Sequence, residues 1–438
     1  MRPAPALVAI ALAWLVLGLA AAIQPALHVA WLAAGALSAV VAFADWLLVR
    51  AAPGLAVRRE MAHALSVGVA APVRLDLANR GARGLRLEIH DRHPGAGEAQ
   101  GLPFHVTLPA GRTVRHTYQF TPHHRGDLDF AGCDLRLRSP FGLWERRITD
   151  PVSTQCRVYP DFSALAGYAL LATDNRLSQL GVLQRRRRGE GLDFHQLRDY
   201  RESDPPRALD WKATARVRRP IAREYRDERD QRVLFLIDCG RRLSTGDTDA
   251  RHLTHFDHAL NAALLLAYVA ARQGDAVGYL TFATPAPRSM APRKSRAAVN
   301  QMLHTLFDVQ PGLNAPDYTR AAVDATRLAG RRSLVVVLSN LRGEDDDALL
   351  PALSLLKQRH LVLFASLREP VLDATLAAPV RHLDDALTRI AAGEYAQMRE
   401  RSLDRLGRSG AEILDVAPRA LPIALVNRYL DIKRSARL

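Results

Sequence analysis

Three patterns of apolar and polar positions follow one another along this chain. Pro5 to Ile23 is an uninterrupted apolar run, and Leu27 to Val49 is a second, broken only by His28, Ser38 and Asp45. Each is close to the roughly 20 residues that a helix needs to cross a bilayer. Only Gln24, Pro25 and Ala26 separate them, so the pair reads as a tight hairpin. Arg2 precedes the first run, and Arg50, Arg58 and Arg59 follow the second. Positive flanks at both ends place both ends on the cytoplasmic side of an inner membrane. The alternative is a cleaved signal peptide, with Arg2 as its basic start and Ala20-Ala21-Ala22 as its cleavage site. The second run follows too closely to favour it.

From about Leu55 to Tyr159 the period shortens to two. Val73-Arg-Leu-Asp-Leu, Leu85-Arg-Leu-Glu-Ile, Phe104-His-Val-Thr-Leu and Val114-Arg-His-Thr-Tyr-Gln-Phe alternate apolar with polar. Turn signals at Asn79-Arg-Gly81, Pro94-Gly95, Pro109-Ala-Gly111 and Arg125-Gly126 separate them. This spacing predicts a small antiparallel sandwich, and a barrel fits the same period. Leu165 to Gln184 reads as a linking helix.

From Val233 the pattern changes again. Strands are predicted at Val233–Ile237, Ala276–Phe282, Leu334–Leu338, Leu361–Leu367 and Glu412–Val416. Helices are predicted at His255–Arg272, Arg296–Phe307, Tyr318–Ala329, Ala348–Gln358, Leu383–Leu406 and Ala420–Ile432. Gly274 and Gly330 stand where C-cap glycines stop helices. This alternation predicts a doubly wound, mostly parallel sheet with helices on both faces. A chain of 438 residues exceeds one ordinary core. The expected organisation is a transmembrane hairpin (1–50), an antiparallel β-sandwich-like domain (51–160), a linker (161–230) and an α/β domain (231–438).

The net charge of +15 raises nucleic acid as a partner. Lysine occurs only at Lys212, Lys294, Lys357 and Lys433, and arginine supplies the rest. An Arg- and Ala-rich, Lys-poor chain is what a GC-rich genome yields, and no zinc-finger or RNP pattern accompanies the charge. Nucleic acid is therefore not expected as a partner, and an arginine-rich binder of nucleic acid or a lipid surface is kept as an alternative. The Arg185-Arg-Arg-Arg188 run reads as a solvated surface facing lipid headgroups or a partner. Cys133, Cys156 and Cys239 are scattered, which argues against a disulfide framework and a zinc site.

The chemistry-bearing candidates gather where predicted strands end. Asp238 closes the first α/β strand, at the position where open α/β sheets place a ligand. The loop is Asp238-Cys239-Gly240-Arg241-Arg242. Asn314 and Asp317 lie in a second loop, and Asn340 follows the third strand. One carboxylate, one amide and neighbouring guanidiniums make a poor octahedral oxygen site for Mg²⁺. Asp238 is expected to be satisfied by Arg241 or Arg242, with no cofactor and no catalytic residue. A metal-dependent hydrolase at this edge is the alternative.

A second block, Gly189 to Arg216, is charged yet interleaved with aromatics. It predicts a clamp in which Arg198, Arg207 and Arg216 pair with Asp193, Asp204 and Asp210 beneath Trp211, with Tyr200 alongside. Asp210 is placed to cap a helix starting at Trp211.

The Arg198-x-Tyr200…Asp204…Arg207…Asp210-Trp211…Ala215-Arg216 spacing resembles the signature of bacterial domain-of-unknown-function family 58. His124-Arg125-Gly126, Ser139-Pro140-Phe141-Gly142-Leu143 and Tyr429-Leu430-Asp431-Ile432-Lys433 belong to the same resemblance. It implies a von Willebrand factor A-like fold after a β-rich segment. In that fold the loop at Asp238 carries a metal-binding Asp-x-Ser-x-Ser, and here both hydroxyls are missing. The resemblance further implies a partnership with a MoxR-type AAA+ ATPase and with membrane proteins of the same gene cluster. The expected role is that of a membrane-anchored adaptor.

Overall fold

The computed structural model describes residues 1–50, 54–161, 193–201, 206–226, 231–246, 253–342, 346–435 and 437. Two compact units emerge, Met1–Tyr159 and Pro160–Leu438. Arg185–Arg188, Asp204 and the predicted linking helix lie outside the described residues.

The first unit begins with helices α1 (Pro5–Ile23) and α2 (His28–Arg50), joined by a single 3-10 turn at Pro25–Leu27. Both are long and apolar enough to cross a membrane. Their outward residues are apolar, with Val16 64% and Val29 78% exposed. Trp14 and Trp31 stack across the hairpin at 5.2 Å. A Cβ at Gly35 would lie 2.6 Å from the Trp14 indole nitrogen, so the small residue creates the room for the ring.

Among the described residues twelve strands complete this unit. They are β1 (Arg2–Pro3), β2 (Leu55–Glu60), β3 (Ala64–Ser66), β4 (Ala71–Asn79), β5 (Leu85–Asp91), β6 (Gly97–Gln100), β7 (Phe104–Leu108), β8 (Thr113–Pro122), β9 (Gly126–Phe130), β10 (Cys133–Arg138), β11 (Trp144–Asp150) and β12 (Thr154–Tyr159). They form three sheets, ordered β1-β11-β10-β5-β7, β2-β4-β8-β6 and β3-β12-β9. Every pairing is antiparallel except β3 with β12. The predicted alternation holds: Val73, Leu75 and Leu77 point into the core while Arg74 points out.

Two charged residues take roles that the pattern did not suggest. Arg59 is no membrane flank: its side chain is fully buried against Asp91. Asp45, which interrupts the second apolar run, is also fully buried. It accepts hydrogen bonds from Ser139 Oγ (2.5 Å) and from the backbone N–H groups of Phe141 and Leu143 (both 3.1 Å). Trp144 Nε1 donates to the Ala42 carbonyl, and the Arg146 guanidinium donates to the last carbonyls of α2, Val49 and Arg50. Ala4 N–H donates to the Leu143 carbonyl, and β1 pairs with β11. The start of α1 and the end of α2 are thus fastened to the same strand and loop.

Among the described residues of the second unit, a two-stranded ribbon comes first, β13 (Asp193–Asp199) and β14 (Ile221–Arg226), with α3 (Trp211–Val217) between them. A six-stranded sheet follows: β15 (Arg232–Asp238), β16 (Ala276–Phe282), β17 (Ser289–Arg293), β18 (Leu334–Leu338), β19 (Leu361–Leu367) and β20 (Glu412–Val416). Its order is β17-β16-β15-β18-β19-β20, parallel except for β17. The five predicted strands are all present. The antiparallel edge β17 was not predicted, because Ser-Met-Ala-Pro-Arg carries no strand-like run.

Among the described residues seven helices accompany the sheet: α4 (His255–Arg272), α5 (Arg296–Leu306), α6 (Tyr318–Ala329), α7 (Asp346–Lys357), α8 (Pro370–Ala377), α9 (Leu383–Arg408) and α10 (Leu421–Arg434). Two apolar cores result. One packs α4, α5 and α10 on a face of the sheet, and the other packs α6 and α7 on the opposite face. Gly274 and Gly330 adopt the positive φ expected of helix stops, 87° and 67°. Asp275, just past the first stop, is buried and accepts hydrogen bonds from Tyr429 Oη and from Lys433 Nζ (2.7 Å). The closing Tyr429…Lys433 motif therefore docks the last helix beside α4. Burial and the Asp275 carboxylate push the Tyr429 hydroxyl far above its ordinary range, which keeps it a proton donor.

Candidate functional site

Strand order places the candidate edge. The chain leaves β15 for β16 on one side and later returns to β18 on the other side. The carboxyl end of β15 is therefore a switch point, where diverging loops leave room for a ligand in open α/β sheets. Asp238 ends β15 there, and Ser339 and Asn340 follow β18 beside it.

Asp238 is fully buried and both its oxygens are engaged. Oδ1 accepts from Gly240 N–H at 2.8 Å, and Oδ2 accepts from Ser339 Oγ at 2.6 Å. The Ser339 hydroxyl also lies 2.9 Å from Tyr318 Oη. Neither Ser339 nor Tyr318 was among the predicted site residues. Ser339 precedes Asn340 by one position, and the pleat puts the first, not the second, toward Asp238. Arg242 is 1% exposed, so a guanidinium fills space inside the loop.

Gly240 explains why the first hydroxyl is missing. A Cβ there would sit 2.3 Å from the Asn314 carbonyl oxygen and 2.8 Å from the Ala283 Cβ. Asn314 contributes its backbone carbonyl, which accepts from Arg241 N–H at 3.1 Å. Asp317 caps α6 by accepting from Arg320 N–H. Of the expected residues, Asp238, Gly240 and Asn314 are brought together; Asp317 is occupied with its helix. Among the described residues no group of three or more His, Cys, Asp or Glu is placed to hold a metal. A carboxylate with both oxygens committed, no room for a hydroxyl and a buried cation do not fit Mg²⁺. Gly240→Ser is expected to destabilise the second unit by about 1–3 kcal/mol through overpacking. Isothermal calorimetry with Mg²⁺ on this variant should remain flat, and micromolar binding would show that the loop opens readily.

Asn340 is drawn to a neighbouring network. Its Nδ2 donates to Glu369 Oε1 (3.1 Å), and its Oδ1 accepts from Arg399 (3.1 Å). Arg399, 5% exposed on α9, also donates to the Leu341 and Leu367 carbonyls, to Ser366 Oγ and to Asp415. Arg342 lies 3.7 Å from Glu369. Burial, followed by the Glu369 carboxylate, pushes the Tyr395 hydroxyl up, against the opposing pull of Arg342, Arg399 and Arg242. The edge is thus closed by its own charges and hydroxyls, with no nucleophile held open to solvent in this network.

Asp210 caps α3, accepting from Ala213 N–H at 3.0 Å, as expected. Trp211 does not roof a cluster: it is 73% exposed. The reason is local, since α3 is a short helix with no buried residue. Arg198 donates to the Asp199 carbonyl, and Arg219 pairs with Asp199 at 3.3 Å. Tyr200 N–H donates to the Pro220 carbonyl, Arg216 lies in the last turn of α3, and the side chains of Asp193 and Arg207 lie outside the described residues.

No curated protein matches the chain. Among solved structures, the conserved hypothetical protein BatB from Bacteroides thetaiotaomicron is similar at 13% identity. The match covers 48% of this chain and 100% of that one, with a TM-score of 0.31. Native α2-macroglobulin from Escherichia coli, from domain MG7 to its C-terminus, is similar at 16% identity over 25% of this chain, with a TM-score of 0.21; the chain spans 17% of that fragment's length. A CARDB domain from Pyrococcus furiosus, solved with di-metal ions, shares 15% identity over 24% of this chain and 93% of its own, with a TM-score of 0.18. The family described as protein of unknown function DUF58 matches residues 196–388, a stretch that runs from β13 into α9 and contains the closed edge.

Proposed function

We propose that this chain is a membrane-tethered, cytoplasm-facing adaptor that assists a MoxR-type AAA+ ATPase in maturing or assembling other proteins. In this reading the six-stranded sheet is a von Willebrand factor A-like fold whose metal loop has become structural. The strands of the first unit form a sandwich that links it to the membrane helices. The observation that carries the reading is a closed edge flanked by an exposed apolar face. Leu383, Leu387 and Ile390 on α9 are 74%, 56% and 60% exposed, and Val371 on α8 is 60% exposed. Positions i, i+4 and i+7 share one helix face. Contiguous exposed apolar surface marks contact sites. The helix that presents this face is the helix that closes the edge through Arg399.

The test is co-purification of the tagged, detergent-solubilised full chain from its own host, followed by mass spectrometry. An AAA+ ATPase should be retained, and Leu383→Asp with Leu387→Asp should remove it at unchanged thermal stability, because both side chains are exposed. Equal retention by the variant, or no ATPase at all, would refute the assignment.

A further inference from the structure

We propose that Phe141 is a membrane wedge: the Ser139–Leu143 loop seats it in the headgroup–acyl boundary of the bilayer that α1 and α2 cross. This inference rests on the reading of those helices as membrane spans. It starts from the fixed height of the loop. Three hydrogen bonds from Ser139, Phe141 and Leu143 converge on the Asp45 carboxylate of α2. Asp45 precedes Arg50, the last residue of α2, by five positions, which is about 7–8 Å along a helix at 1.5 Å per residue. The loop backbone is therefore held one and a half turns toward the membrane from the helix end.

Length then places that level in the bilayer. The 23 residues of α2 span about 34 Å, against a hydrocarbon core of roughly 30 Å. With Arg50 among headgroups, Asp45 falls at the hydrocarbon boundary. A bare carboxylate there is costly, and the loop encloses it completely. The same loop turns Phe141 outward, 62% exposed, through a positive φ of 74° at Gly142. Interfacial segments bury apolar side chains roughly 5–10 Å into this boundary. The surroundings match an anionic surface. Arg50 lies over the Trp46 ring at 4.9 Å, and Arg138 is exposed beside Gly142. An indole and guanidiniums at one level form an interfacial belt.

Phe141→Cys carrying a nitroxide label tests this in the full chain, reconstituted into vesicles of phosphatidylcholine and phosphatidylglycerol. The native cysteines are buried, and the unsubstituted chain serves as the labelling blank. Labels at Val16→Cys on α1 and Ala131→Cys on the β9–β10 turn are the membrane and aqueous references; Ala131 is exposed at the end of the sheet opposite the Ser139–Leu143 loop. Relaxation by oxygen against a water-soluble nickel complex reads depth. A several-fold higher oxygen-to-nickel ratio at 141 than at 131, approaching that at 16, supports the wedge. A ratio at 141 equal to that at 131, with 16 deep, overturns the wedge and leaves the spans standing. Shielding of 141 from both agents reports a protein contact and also overturns it. A water-exposed label at 16 removes the spans and the wedge together.

Discussion

Arg59→Ala lowers the stability of the first unit by about 3–5 kcal/mol, the cost of stranding one partner of a buried ion pair. The Arg59 and Asp91 side chains have no solvent exposure. Arg59 Nε donates to Asp91 Oδ2 at 3.0 Å, and a second guanidinium nitrogen reaches Oδ1. The remaining N–H groups reach the carbonyls of Phe130, Gly132 and Val152 and the Thr154 hydroxyl. Arg59 stands on β2, Asp91 on β5, Phe130 on β9 and Thr154 on β12, so one planar cation ties all three sheets together. In the variant Asp91 keeps Tyr118 Oη, at 2.7 Å, but no cation. Arg59→Lys should restore little, because a single ammonium cannot reproduce the fork. Hydrogen exchange read by mass spectrometry is the suitable measure in a chain of two units. Protection of residues 85–91, 126–130 and 154–159 should fall together. Unchanged exchange in all three segments would contradict the assignment.

Arg399→Ala has a comparable expected cost, about 3–5 kcal/mol, and falls on the second unit. Arg399 gathers the ends of three strands: Asn340 and Leu341 after β18, Ser366 and Leu367 on β19, and Asp415 on β20. Without it, the Asn340 oxygen and the Leu341 and Leu367 carbonyls lose the Arg399 donor inside the protein, while Ser366 Oγ keeps Leu341 N–H, and buried acceptors left unmade carry a full desolvation penalty. Exchange should rise at residues 338–342 and 363–367, and α9 should loosen from the sheet. If the adaptor reading holds, ATPase retention falls with it, whereas the exposed Leu383 and Leu387 variants lose retention without loss of stability. Exchange unaffected by Arg399→Ala would mean that the edge is held by its strands alone.

The architecture was largely legible because its signals are periodic. The long apolar runs, the alternation in β4, β5, β7 and β8, and the βα series each repeat a single rule over many residues, and the strands found match those read from the chain. Several elements escaped, among them the β13–β14 ribbon inside the segment read as a linker. β17 is short and contains Pro292, and α8 is one brief helix opening on Pro370. The site was legible only in part. Asp238 stood out because it ends an apolar strand, at the position where open α/β sheets place a ligand. Its partners Ser339 and Tyr318 are ordinary residues that only the fold unites. Arg59 and Arg399 were invisible for the opposite reason: in a chain so rich in arginine, composition gives no sign of which guanidiniums are buried. The Ser139–Leu143 motif was recognised as a pattern, yet its meaning lies 94 residues away from Ser139 in Asp45.

Gly240 sets what could be built into this loop. A hydroxyl-bearing side chain there meets a backbone carbonyl from one loop and the Ala283 methyl from another. Ala283 itself holds a positive φ of 58°, so its loop is already committed to an unusual turn. An engineer wishing to install an oxygen ligand at this position would have to redesign two loops at once, because a single exchange meets the collision before it gains a ligand.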